Sequence, residues 1–139
     1  MILAIIIIAL LFALLMIVFV IIRNGKFQDE YFQRLDLKLT GVLVRDPECP
    51  NVSNGFCILD VKIITTNIER YNPVGKDRYY YAIIDGDRAR LFQEQARNLK
   101  EGDTIAVDTR KRIFLCVNRQ VSLPLKIYTS DQFYEKINK

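Results

Sequence analysis

The chain of 139 residues has no histidine and no tryptophan, only two methionines, three cysteines and four prolines, and its six glycines all stand alone. Without an imidazole there is no Ser-His-Asp or Cys-His nucleophile system, no His-ligated zinc and no His-bound haem. Isolated glycines rule out a glycine-rich phosphate cradle. The three cysteines lack the number and spacing of a zinc site. The carboxylates are scattered: Asp85 and Asp87 share one candidate turn, Glu101 and Asp103 another, and Asp108 falls on the polar side of a candidate strand. They read as turn formers and solubilising charges, and Asp85-Gly86-Asp87 is too short for a calcium loop. The expectation is therefore a protein that is not an enzyme, with no cofactor, no metal and no evident small-molecule substrate.

What is present begins with Met1 to Ile22, 22 residues without one polar side chain. As a helix this run is about 33 Å long, against about 30 Å of bilayer hydrocarbon. A cleaved signal peptide is the rival reading. It would show a positive n-region, an apolar run of about 7–15 residues and a small-x-small cleavage site, and none of these is seen here. The expectation is a transmembrane helix over 1–22 that is long enough to span with little tilt. Ala9 and Ala13, four apart, hint weakly at a helix contact.

A juxtamembrane linker over 23–34 follows, with Arg23, Lys26, Phe27 and Tyr31 as membrane-interface candidates; Phe27 and Tyr31 are spaced i, i+4. Arg23, Lys26 and Arg34 just after the span favour the cytoplasm for the rest of the chain under the positive-inside rule.

All charged residues lie after Ile22, with Lys+Arg 20 and Asp+Glu 16 giving a net charge of +4. Residues 35–139 have the composition of one soluble domain. From Leu35 the apolar period becomes two: Leu35, Leu37 and Leu39, then Val42-Leu43-Val44 after an interruption at Gly41, which marks a bent strand with a bulge at the glycine. Pro47, Pro50 and Asn54-Gly55 punctuate a hairpin tip before a strand from Cys57 to Ile63. Further strands are expected over Arg78–Ile84, Arg88–Phe92, Thr104–Thr109, Ile113–Val117 and Leu125–Tyr128. A short helix is expected over Glu94–Leu99, and a C-terminal helix from Gln132 to Ile137, capped by Asp131.

This element order resembles that of an OB-type barrel, small, antiparallel and five- or six-stranded. Another small barrel or sandwich, such as an SH3-like roll, is the alternative. The alternating face predicts a core of Leu37, Leu39, Leu43, Leu59, Val61, Ile63, Ile83, Leu91, Leu99, Ile105, Val107, Leu115 and Val117.

Cys49 and Cys57 flank the hairpin tip at a spacing that allows a disulfide, which would place the domain on an oxidising side of the membrane and so oppose the charge rule. Cys116 reads as a core residue. Asn51-Val52-Ser53 matches a glycosylation acceptor, relevant only in a eukaryotic lumen.

Arg78, Tyr79, Tyr80, Tyr81, Arg110 and Arg112 are the candidate partner-contact residues, because exposed aromatics and arginines are what interfaces concentrate. The leading expectation is a single-pass membrane-anchored accessory or docking subunit. Its partners would be the lipid bilayer and other membrane-protein subunits, or further copies of itself. A pilin-like filament subunit is the first alternative. A membrane-attached OB module binding nucleic acid ranks behind it, since only Arg110-Lys111-Arg112 clusters positive charge.

Overall fold

The structure is a computed structural model and describes residues 1–50 and 55–129. The chain divides into two compact units, Met1–Arg34 and Leu35–Lys139.

The first unit is one helix, α1, over Ile2–Leu35. It is the one helix among the described residues long and apolar enough to cross a membrane, and it lies near the N-terminus. The helix runs without a break through the stretch expected as a linker. Half of residues 23–34 are good helix formers, Arg23, Lys26, Gln28, Glu30, Gln33 and Arg34, and Lys26 and Glu30 stand one turn apart, their charges 3.8 Å from each other. That exposed pair adds little energy.

The second unit is antiparallel throughout. Its strands are β1 (Lys38–Leu43), β2 (Phe56–Thr66), β3 (Arg70–Tyr71), β4 (Tyr79–Tyr80), β5 (Ala82–Asp85), β6 (Arg88–Glu94), β7 (Thr104–Asp108), β8 (Ile113–Cys116), β9 (Val121–Leu123) and β10 (Tyr128–Thr129). Eight of them form one sheet in the order β3-β5-β6-β2-β1-β7-β8-β9, while β10 pairs with β4. The large sheet does not close into a barrel among the described residues: β3 and β9 are its two edges.

The bend in β1 has a steric cause. Thr40 pairs with Thr65 but Gly41 pairs with Ile63, so Ile64 is left without an opposite residue and is 62% exposed. At Gly41 a Cβ would strike the Val61 side chain and stand 2.6 Å from the Lys62 carbonyl oxygen. Glycine is what lets β2 cross β1 this closely.

The core holds nine of the expected residues, Leu37, Leu39, Leu43, Leu59, Val61, Leu91, Leu99, Ile105 and Val107. The other four are corrections. In β8 the face is reversed: Phe114 and Cys116 are buried, Leu115 is half-buried and Val117 is 46% exposed. Ile113 to Val117 is apolar throughout, so alternation could not choose a face, and pairing with β7, Val107 to Phe114 and Ile105 to Cys116, makes the choice. In β5, Ala82 and Ile84 point inward and Ile83 is half-buried, for the same reason. Ile63 is half-buried beside the bulge.

Glu94–Leu99 is not helical. β6 continues to Glu94 because Phe92, Gln93 and Glu94 pair with Ile58, Cys57 and Phe56. Gln95 then takes a positive φ of 59°, and one turn closes from the Leu99 N–H to the Ala96 carbonyl at 3.1 Å. Ladder pairing overrides local helix propensity here. The expected C-terminal helix and the Asn51-Val52-Ser53 acceptor lie outside the described residues.

Candidate functional site

The tyrosine run does not form an exposed platform. Tyr80 and Tyr81 are both 0% exposed, which corrects their reading as partner contacts. Two adjacent residues can both point inward because Tyr81 lies between β4 and β5, strands of different sheets, and the alternation restarts there. The Tyr80 ring stands edge-on to Phe92 at 5.4 Å. The Tyr81 hydroxyl donates to Gln93 Oε1 at 2.6 Å, and Gln93 Nε2 donates to the carbonyls of Pro124 (2.7 Å) and Glu94 (3.1 Å). Burial pushes the Tyr81 phenol well above its ordinary pKa, so it stays a neutral donor. Tyr79 is half-buried, and Arg78 lies over its ring, 5.5 Å from the centroid.

Arg110 and Arg112 belong to the turn that joins β7 to β8. Arg110 is exposed and stands 3.8 Å from Asp36. Arg112 adopts a positive φ of 56° and donates through Nη2 to the Leu125 carbonyl at 2.5 Å, which fixes it as a brace of the turn rather than a displayed cation. Of the six contact candidates, Arg78 and Arg110 are exposed, Tyr79 and Arg112 are half-buried, and Arg112 is held to Leu125.

Cys49 and Cys57 are joined as a disulfide. The bridge lies beside a two-way backbone pair between Glu48 and Ile58, with N–H to O distances of 3.1 and 2.7 Å. Cys116 is the free thiol; burial pushes its pKa up and leaves it a core residue. Among the interface candidates Arg23, Lys26 and Phe27 are exposed, whereas Tyr31 is buried, its ring edge-on to Phe32 at 5.4 Å.

Two charged constellations escaped the sequence reading. The first centres on Asp103, which is buried. Its carboxylate accepts from the Lys100 N–H (2.7 Å), Asn118 Nδ2 (3.0 Å) and Arg119 Nε (2.9 Å). Burial acts to raise its pKa, but the bonds from Asn118, Lys100 and Arg119 together with the Arg119 charge outweigh it and hold the carboxyl below the usual range. This cluster ties the turn before β7 to the turn after β8.

The second lies on the outward face of β2 and β6. Asp60 is directly opposite Arg90, and Lys62 directly opposite Arg88. Asp60 accepts from Arg90 Nε at 2.9 Å through one oxygen and pairs with Arg45 through the other. Val44, Arg45, Asp60, Val61, Arg88, Ala89 and Arg90 line an open recess of about 410 Å³. The sequence signal was present as alternate charged residues in two strands, Asp60 and Lys62, Arg88 and Arg90. Their convergence depends on the β2–β6 register, which no local pattern reveals.

Compared with protein-family models, with curated proteins and with solved structures, the chain matches none.

Proposed function

We propose that the chain is a non-enzymatic, single-pass membrane-anchored accessory subunit whose β domain docks onto other membrane-protein subunits. The observation that carries the anchor is α1: every residue from Met1 to Ile22 is exposed and apolar. Leaving that much hydrocarbon in water is costly, at roughly 25 cal/mol per Å² of apolar surface, and a bilayer relieves the cost while the helix satisfies its own backbone.

Docking is supported by the surface that remains after the corrections. Arg78 stacked on Tyr79, with Arg110, offers the residue types that dominate contact energies. The Cys49–Cys57 bridge favours the oxidising side of the membrane over the cytoplasmic side that the flanking charges suggest, because two or three charges are a weak vote when a whole domain follows.

The test begins with an alkaline carbonate wash, after which the chain should remain in the membrane pellet. Leu11→Arg at mid-helix should oppose insertion by about 2.5–3.5 kcal/mol. Native purification in mild detergent should retain a partner, and alanine at Arg78 and Arg110 should release it with little change in thermal stability. A mature chain that starts after Ile22, or a free monomer at native abundance, would refute the reading.

A further inference from the structure

The β2–β6 face contains a local conflict. Opposite charges directly across an antiparallel pair stabilise it and like charges destabilise it. Asp60 and Arg90 obey that rule, yet one rung along, Lys62 faces Arg88. Both are exposed, and neither makes an ion pair among the described residues. Asp85 lies directly across from Arg88 on its other side and is the one opposite charge at that crossing; it is exposed and stands 3.8 Å from Arg70. Beside this pair, Asp60 sits with its side chain 19% exposed between Arg45 and Arg90. It neutralises part of their charge and fixes their direction. Each guanidinium has five N–H donors in a rigid fork, so a single carboxylate cannot use them all. Glu48 also stands 3.8 Å from Arg45.

We propose that this recess binds a phosphate group, held between Arg45 and Arg88 of its lining, with Arg90 oriented by Asp60 and with Lys62, which does not line the recess but stands directly opposite Arg88, as a further cation beside it. Opposed residues on neighbouring strands are about 5 Å apart at Cβ and successive outward residues about 7 Å apart, so the long side chains of Lys62, Arg88 and Arg90 are within reach of one tetrahedral anion, and Arg45, outside both strands, shares the recess lining with Arg88 and Arg90. A phosphate carries about two negative charges and three acceptor oxygens, enough to bridge Lys62 and Arg88 and reach a third cation. A lone carboxylate has one charge and two oxygens. A nucleic-acid strand would require a basic track rather than one recess. The anion would turn the Lys62–Arg88 repulsion into a shared contact, which explains a pairing that otherwise weakens the sheet. The proposal does not rest on the docking reading, since no residue is common to the two surfaces.

The test uses the full chain in nonionic detergent. One arm titrates inorganic phosphate by calorimetry; the other compares short-chain phosphatidic acid with short-chain phosphatidylcholine. Saturable binding of phosphatidic acid but not of inorganic phosphate assigns the group to a lipid headgroup, and binding of inorganic phosphate as well assigns it to free phosphate; either result supports the site. Lys62→Gln and Arg88→Gln should each weaken binding about tenfold or more while leaving the melting temperature unchanged or raised, because each removes half of a repelling pair. Lys76→Gln, an exposed lysine elsewhere, should leave the affinity unchanged. The proposal is overturned if neither probe binds, if Arg88→Gln binds as the native chain does, or if a poly-glutamate peptide binds more tightly than either phosphate probe.

Discussion

Replacing Cys49 and Cys57 by alanine tests the fold and the sidedness of the domain together. The two cysteines are eight positions apart, and closing so short a loop removes chain entropy from the unfolded state worth about 2.5 kcal/mol at 25 °C. The folded state loses little. The Glu48–Ile58 backbone pair already holds the two ends of the loop side by side, so the bridge acts mainly on the unfolded chain. For a domain of about 100 residues, 1 kcal/mol corresponds to roughly 4–8 °C, so the double variant, or the native chain in reductant, should melt about 10–20 °C lower with an unchanged folded spectrum. Thiol counting completes the assay. Cys116 is buried and its thiol pKa is raised by that burial, so maleimide labelling of the folded chain reports on Cys49 and Cys57. Native membranes prepared without reductant should show no labelling. Free labelling there would refute the oxidising-side placement, and a melting temperature indifferent to reductant would refute the entropy argument.

Gly41→Ala should cost about 1–3 kcal/mol, because the new methyl meets the Lys62 backbone oxygen, which cannot rotate away; Gly25→Ala, where nothing lies within 4 Å, is the control and should not move the melting of the β domain. Since the folded Asp103 carboxyl is held below its ordinary 3.8, its contribution is fully present above that ordinary value and is lost as pH falls through the lower folded one. Asp103→Asn should therefore lower stability at neutral pH and flatten the acid limb of a stability profile, and an identical acid limb would refute this. Tyr81→Phe should cost about 1–3 kcal/mol by stripping the buried Gln93 oxygen of its donor, measured by denaturant unfolding, and Tyr81→Phe combined with Gln93→Met should cost less than the sum of the two single changes.

The parts of the fold that were legible are those where a local signal has one physical meaning. A run of 22 apolar residues is long enough to cross a bilayer and is helical here; the period of two from Leu37 to Leu43 names both the strand and its buried face, whereas Leu35, expected to open that strand, is the half-buried last residue of α1. An isolated glycine inside that pattern marked the bulge at Gly41, which the Val61 side chain and the Lys62 carbonyl explain. Arg110-Lys111-Arg112 read correctly as a break, and the turn there is closed by Asp108 Oδ1 accepting from the Lys111 N–H at 3.1 Å. Where every residue is apolar, as in Ile113 to Val117, alternation is degenerate, and a partner strand more distant in sequence decides which half is buried. The Arg78–Ile84 run failed for a related reason: one strand was expected where the chain passes between two sheets.

The polar contacts were illegible for a stronger reason, which also bears on where function lies. Thr109 is fully buried, and its hydroxyl accepts from the Leu37 N–H at 2.8 Å across 72 positions of sequence; Asp103 accepts from Asn118 and Arg119, 15 and 16 positions on, and Gln93 donates to the Pro124 carbonyl, 31 positions on. A lone threonine, aspartate or glutamine has no period, so each looks like an ordinary solvated residue until the ladder is in register. These three sites are satisfied: their donors and acceptors are used within the domain, and burial makes each a fixed element of the fold. The Lys62–Arg88 rung is the opposite case. It is exposed and carries two like charges at one crossing, although β2 already supplies an aspartate at the next outward position. A sequence under pressure for stability alone would gain from an acidic residue at 62, because opposed charges across a strand pair stabilise by a few tenths of a kcal/mol and like charges do the reverse. Thr109, Asp103 and Gln93 thus use their polar groups within the domain, whereas Lys62 and Arg88 leave two like charges exposed at one crossing, and that contrast is what directs attention to β2 and β6 as the surface that meets an external anion.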